Sequence, residues 1–197
     1  MQPYGKKNEP ISAIIGLGAN LPSKVGTPEK TLCHAMMLLQ GAEIEIKTMS
    51  RLYETPCFPV GAGPDYVNAV AILSTGLSAM DLLSRLHQVE AEMGRERVFR
   101  WGQRTLDLDL LAYGGAVLPD SAVFQHWVKL SGEDQSKMSP EQLILPHPRI
   151  QDRAFVLVPL AEIAPEWRHP VLGHTAARMR DDLDKAQTAS VKPVGRC

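Results

Sequence analysis

Residues 105–110 read Thr-Leu-Asp-Leu-Asp-Leu, a strict alternation of period two that predicts a strand with one apolar and one acidic face. Leu106, Leu108 and Leu110 belong to a core, while Thr105, Asp107 and Asp109 look toward whatever lies on the other side of the sheet. A half-exposed strand can carry polar residues at alternate positions for no chemical reason. Two aspartates on one strand face repel each other, however, and Asp is a poor strand former, which makes a purely structural role an odd choice twice in succession. Two hard oxygen ligands suit Mg²⁺, which takes carboxylates together with phosphate oxygens and water. Arg104 next door suits developing phosphate charge, and the chemistry suggested is phosphoryl transfer.

The whole chain sets bounds on that reading. Its 197 residues suffice for one domain with a proper core, and we expect a single domain over residues 1–197. The 21 basic and 22 acidic residues nearly cancel, so no global field points to nucleic acid or to an anionic membrane, and any anion must be bound locally. Cys33, Cys57 and Cys197 are odd in number, scattered and without a C-x-x-C pair, which argues against a disulfide framework and a thiolate zinc site and favours a reducing cytoplasm. No apolar run approaches the length of a membrane span, and the first ten residues lack a signal-peptide core.

The order of elements is informative. A buried strand over Ile11–Leu17 is expected to run into a turn at Gly18, Ala19 and Asn20, followed by a helix over Thr27–Gln40 that stops at Gly41. Ile44–Tyr53 and Tyr66–Leu73 read as two neighbouring strands, Ser78 as the cap of a helix over Ala79–Met93, and the Asp-bearing strand comes next. Strand, helix, strand, strand, helix, strand predicts an α+β fold of the ferredoxin-like split βαβ type. Its four-stranded antiparallel sheet would be covered by helices on one face, with the other face left free for the aspartates. The catalytic core is expected at about 11–172, with an insertion over 114–142 where periodicity is lost, a helix near Ala154–Ile163, and flexible ends at 1–10 and 176–197, the latter a terminal helix or a frayed tail.

Further residues could carry chemistry. Arg95, Arg97, Arg100 and Arg104, with Phe99 and Trp101 among them, form a concentrated cationic loop just before the acidic strand; such a run can be a solvated surface or an arm that closes on polyphosphate. His147, Arg149 and Arg153 in PHPRIQDR lead into a helix whose N-terminal end also favours anions. His87 and Glu90 have the three-residue spacing of carboxylate-bridged metal bundles, but only one such pair exists, and Glu90 could equally be a surface residue or accept from a ribose hydroxyl. Neither G-x-x-x-x-G-K-[ST] nor G-x-G-x-x-G occurs, which excludes the usual glycine-loop nucleotide sites.

GLGANL at 16–21, YETP at 53–56, PDYVNAV at 64–70, GRERVFRWGQRTLDLDLLAYG at 94–114 and PHPRIQDRAFVLVPLAEIAP at 146–165 occur in this order. With these motifs the chain resembles the 6-hydroxymethyl-7,8-dihydropterin pyrophosphokinases of folate biosynthesis. The resemblance implies transfer of diphosphate from ATP to the pterin hydroxymethyl oxygen with release of AMP, by a cytoplasmic monomer that uses neither nucleic acid nor a membrane. It implies two Mg²⁺ ions on Asp107 and Asp109, with Arg95 and Arg104 assisting transfer. By the same likeness Glu90, His147, Arg149 and Arg153 engage ATP, and Thr55, Tyr66, Asn68, Trp101 and Phe155 form the pterin pocket. Ala19, Gln103, Gln142 and the stretch Cys57-Phe58-Pro59-Val60 depart from the pattern of some relatives.

Two other classes fit parts of the pattern. Ferredoxin-like palms with strand aspartates also serve two-metal nucleotidyl transferases and nucleases, against which the neutral net charge argues. A ligand-sensing module could use the same fold, and for it the paired aspartates would be expendable.

Overall fold

The computed structural model describes residues 9–57, 61, 63–94, 105–130, 134, 138 and 140–197. Arg95, Arg97, Phe99, Arg100, Trp101 and Arg104 lie outside the described residues. The strands are β1 (Ile11–Ala19), β2 (Ile44–Met49), β3 (Leu52–Thr55), β4 (Tyr66–Thr75), β5 (Asp107–Tyr113) and β6 (Lys192–Gly195). The helices are α1 (Pro28–Leu39), α2 (Ala79–Glu92), α3 (Ser121–Lys129), α4 (Ala154–Ile163), α5 (Ala176–Asp181) and α6 (Lys185–Ala189).

Local chemistry explains the expected elements. Pro28 opens α1, where its missing N–H costs nothing. Ser78 caps α2 by accepting from Asp81 N at 3.2 Å and returns a 2.6 Å hydrogen bond to the Asp81 carboxylate. Gly94 ends that segment at φ +84°, a conformation that favours glycine.

The sheet is mixed with helices and antiparallel throughout, but it has six strands where four were expected, in the order β5-β1-β4-β3-β6 with β2 also on β4. Two things add the strands. The segment expected as one strand over Ile44–Tyr53 breaks at Ser50 and Arg51, so that β2 pairs the far half of β4 and β3 the near half. Ser50 spans the break through Val70, donating its N–H to the Val70 carbonyl at 2.9 Å and accepting the Val70 N–H on its hydroxyl at 3.1 Å. Residues 176–197, expected as a terminal helix or a frayed tail, instead form α5, α6 and β6, and β6 occupies the otherwise open edge of β3.

Helices cover both faces, which corrects the expectation of one free face. The larger core lies between one sheet face and α1 and α2, and takes Leu106, Leu108 and Leu110. On the other face Val156, Leu157 and Leu160 of α4 and Ala176 and Met179 of α5 pack on Ile14, Val70, Leu111 and Ala112. α4 is also fastened to β3: Glu162 accepts from Arg51 N at 3.1 Å, Arg51 Nε at 3.0 Å and the Tyr53 hydroxyl at 2.7 Å. These donors hold the Glu162 carboxyl below its usual range even though burial opposes them.

Two further expectations are corrected. The stretch 114–142, expected as an insertion where periodicity is lost, contains α3, capped by Asp120 and anchored by the buried Phe124, whose ring lies 5.6 Å from that of His169. Cys33 on α1 and Cys197 form a disulfide across a separation of 164 residues, while Cys57 stays a buried thiol outside any disulfide. Spacing in the sequence could not show that pair, because the fold alone brings the C-terminus back past β3 to α1.

Candidate active site

The site begins with strand register. Gly18 of β1 lies opposite Asp107 of β5 on one side and Asn68 of β4 on the other, and Asn68 lies opposite Tyr53 of β3. The neighbouring row is Asp109, Gly16 and Val70. In an antiparallel sheet directly opposed residues share a face, so these rows place Asp107, Asp109, Gly16, Gly18 and Asn68 on the face where α4 sits. Gly16, Gly18, Asn68, Asp107, Asp109, Phe155 and Val156 line one pocket there, beside the N-terminal turn of α4.

The two glycines make the pocket floor. A Cβ on Gly18 would stand 2.9 Å from Asn68 Oδ1, and one on Gly16 would touch Leu111 at 3.4 Å. Gly18 was expected in a turn; it is instead the eighth residue of a nine-residue strand. Neither glycine was marked as a site residue, although two glycines at alternate positions of an apolar strand are a signal of close approach by something above them.

At one end of the row the groups suit a flat polar heterocycle. Asn68 Nδ2 donates to Thr55 Oγ1 at 2.7 Å, and both side chains are buried. That bond fixes the amide, leaving its oxygen over Gly18. Tyr66 pairs with Thr55 across β3 and β4, and Phe155 is a large apolar side chain left 36% exposed at the pocket.

The other end is ionic. Arg153 Nη1 lies 3.8 Å from Asp109 Oδ2, and its guanidinium carbon sits 5.5 Å from the centre of the Phe155 ring. His147 N donates to the Leu111 carbonyl at 2.8 Å, which moors the following turn to the acidic strand. His147 Nδ1 accepts from Arg149 N at 3.1 Å, so the neutral ring carries its proton on Nε2. Burial, aided by the Arg153 and Arg149 charges, pushes His147 down to about 3. It is therefore a neutral donor near pH 7. Arg149 itself is turned to Asp152, with Nε 2.7 Å from Oδ2.

Glu90, expected at ATP, is 1% exposed, and its Oε1 accepts from Leu108 N at 2.7 Å. The structure thus brings together Asp107, Asp109, His147 and Arg153 around one end of β5, and Thr55, Tyr66, Asn68 and Phe155 around the β3–β4 end. Arg95, Trp101 and Arg104 lie outside the described residues.

The donor set can be tested against a metal. Asp107 and Asp109 offer hard oxygens on one face, and the buried Thr105 hydroxyl, two residues before Asp107, has no hydrogen-bond partner. Among the described residues no group of three His, Cys, Asp or Glu side chains could enclose an ion. Two carboxylates on one strand face suit Mg²⁺, which is held by one or two carboxylates and completes its octahedron with water and substrate oxygens.

Comparison with known proteins gives a consistent result. Residues 14–165 match the family model for 7,8-dihydro-6-hydroxymethylpterin-pyrophosphokinase. A 2-amino-4-hydroxy-6-hydroxymethyldihydropteridine pyrophosphokinase of a Synechocystis species is 34% identical over 92% of this chain and 80% of its own length. The protein of the same name from Haemophilus influenzae is 38% identical over 78% of this chain and 82% of its own. The crystal structure of wild-type Plasmodium falciparum HPPK-DHPS superposes with a TM-score of 0.63 at 15% identity, which supports the fold; the match covers 90% of this chain and 42% of that one.

Proposed function

The chain belongs to the 7,8-dihydro-6-hydroxymethylpterin-pyrophosphokinase family, and we propose that the face shared by β5, β1 and β4 beside α4 is its active site. The family membership makes it an ATP-dependent diphosphotransferase of folate biosynthesis. Its substrates are ATP and 6-hydroxymethyl-7,8-dihydropterin. The bond formed joins the hydroxymethyl oxygen to the β-phosphorus; the bond broken lies between the α- and β-phosphates, and its electron pair leaves with AMP.

One observation carries the residue assignment: Asp107, Gly18 and Asn68 form a single row across three strands. At the usual strand spacing the acidic end lies about 10 Å from the amide end, enough for a pterin ring on Asn68 and a phosphate chain on the aspartates. Thr55 holds Asn68 so that the amide meets the ring edge, and Tyr66 and Phe155 cover the ring faces, where stacking is favourable. Arg153, beside Asp109 and Phe155, brings a guanidinium to the phosphate oxygens. His147 donates from Nε2 as a neutral ring, and Arg149 adds positive charge to the same turn. Arg95, Arg104 and Trp101 complete the proposal from the sequence alone. Asp107 and Asp109 would hold two Mg²⁺ ions, which when bound neutralise the phosphate charge that grows during transfer.

We read the sheet as a split βαβ core in which β2 and β3 divide one strand, with the described C-terminal elements added to it. We also propose that residues 1–197 act as one domain, as a monomer. Among the described residues no helix is long and apolar enough to cross a membrane.

Product analysis tests the reaction. Incubation with ATP, Mg²⁺ and 6-hydroxymethyl-7,8-dihydropterin is expected to give AMP and a pterin diphosphate only when the pterin is present. ADP would mean single phosphoryl transfer. Nucleotide cleavage without pterin would favour a two-metal nuclease or nucleotidyl transferase.

A further inference from the structure

We infer that Glu90 is a positioning residue for the metal-binding strand and not a ligand of ATP. The inference rests on the reading of Asp107 and Asp109 as Mg²⁺ ligands. Among the described residues β5 is the outer strand of the sheet, paired on one side with β1 and on the other with no strand. An outer strand leaves alternate backbone N–H groups without a ladder partner, and a buried one must be satisfied by another group. Leu108, 2% exposed, stands between the two aspartates, and its N–H donates to the Glu90 carboxylate at 2.7 Å.

Glu90 is well placed to fix that amide. It lies in the last turn of α2, whose Leu82, Leu86 and Val89 are fully buried in the same core as Leu106, Leu108 and Leu110. The Glu90 carboxyl therefore grips the strand at its outer edge, from the helix that packs on the leucines, while the aspartates project from the opposite face. A carboxyl oxygen held 2.7 Å from the amide restricts the peptide planes on both sides of Leu108. Those planes set where the Asp107 and Asp109 carboxylates point. A ligand of ATP, by contrast, would have to reach nucleotide from a position that is 1% exposed on the core side of the strand.

The roles separate in Glu90→Gln and Glu90→Ala, because the glutamine oxygen can still accept from Leu108 N and alanine cannot. Three quantities are to be measured: exchange of the Leu108 amide by NMR, Mn²⁺ affinity by electron paramagnetic resonance with a non-hydrolysable ATP analogue, and KM for ATP and pterin. For a positioning residue, Glu90→Ala speeds Leu108 exchange at least tenfold and weakens Mn²⁺ at least tenfold with pterin KM within threefold. Glu90→Gln keeps both Leu108 protection and Mn²⁺ affinity within threefold of the parent. Unchanged Mn²⁺ affinity in both variants, with ATP KM raised tenfold or more, overturns the inference in favour of an ATP ligand. If Glu90→Ala does not fold, Glu90→Gln decides alone: a tenfold rise in ATP KM overturns the inference, and retained protection and Mn²⁺ affinity support it. Asp107→Ala serves as the control. Unchanged Mn²⁺ affinity there would overturn the metal reading itself, whatever Glu90 does.

Discussion

Gly18 and Asn68 face each other across β1 and β4 so closely that a Cβ on Gly18 would stand 2.9 Å from Asn68 Oδ1. Gly18 lies in regular strand, so the position requires the missing side chain and not an unusual dihedral. Asn68 cannot simply step aside, since its Nδ2 is committed to Thr55 Oγ1 at 2.7 Å.

Gly18→Ala is therefore expected to raise the KM for pterin about tenfold, equivalent to about 1.4 kcal/mol, with ATP KM altered less than threefold. Steady-state kinetics with each substrate varied in turn checks this. Unaltered pterin KM would show that Asn68 does not meet the ring edge.

Asp107 and Asp109 can be removed without touching the core. Both are half-buried on the sheet face opposite the core leucines, and the Asp109 side chain is 40% exposed. Asp107→Ala and Asp109→Ala should each lower turnover by about a thousandfold or more, the range expected for groups that stabilise transferred charge, while the thermal midpoint shifts by a few degrees at most. Near-normal turnover in both variants would refute the metal assignment.

How much of this was legible in the sequence depends on how local each signal is. The alternation around Asp107 and Asp109, the Ser78 cap and the Gly94 stop act over a few residues, and the elements they specify formed where expected. Gly18 misled because Gly-Ala-Asn is a turn signal on its own; only Asn68 and Asp107, 50 and 89 residues away, show that the strand continues. α3 was missed because the polar run after it hid the apolar face of Val123, Phe124, Trp127 and Val128. β6 carries no pattern at all, being exposed at every position, and owes its place to the open edge of β3. Glu90 was expected at ATP, because nothing local in the sequence points to the Leu108 amide that the fold sets against it.

The C-terminal segment is held by three contacts: β6 on β3, Arg196 Nη2 at 3.4 Å from Glu162 on α4, and Cys197 bonded to Cys33 on α1. Consecutive residues thus fasten it to helices on opposite faces of the sheet. The Arg196 side chain is 70% exposed and the contact is 3.4 Å long, so this pair is weak and the disulfide dominates. Reduction, or Cys197→Ser, is expected to lower stability by about 2–4 kcal/mol, as usual for a cross-link that closes a long loop. Thermal melts with and without reductant check it: the parent loses stability on reduction, and Cys197→Ser starts lower and does not respond. Equal melts for the parent in both conditions would show that the tether adds nothing to the native state.

Buried histidines set a dependence on pH. His169 is fully buried, and its Nδ1 accepts from Val171 N at 3.2 Å and Leu172 N at 3.1 Å; burial, with a smaller effect of His174, pushes it down to about 4. His147 is pushed down to about 3. In the unfolded chain both titrate near 6.5. Below that pH the unfolded state binds protons that the native state refuses, so stability is fully present above about 6.5 and is lost as pH falls toward the native values. At pH 5 each histidine should have removed about 2 kcal/mol. Denaturant unfolding between pH 7 and 5 is expected to show this loss, and His169→Asn, whose oxygen can accept where Nδ1 does, should roughly halve it. An unchanged slope in that variant would mean that His169 is protonated in the fold and that its two backbone donors are satisfied elsewhere.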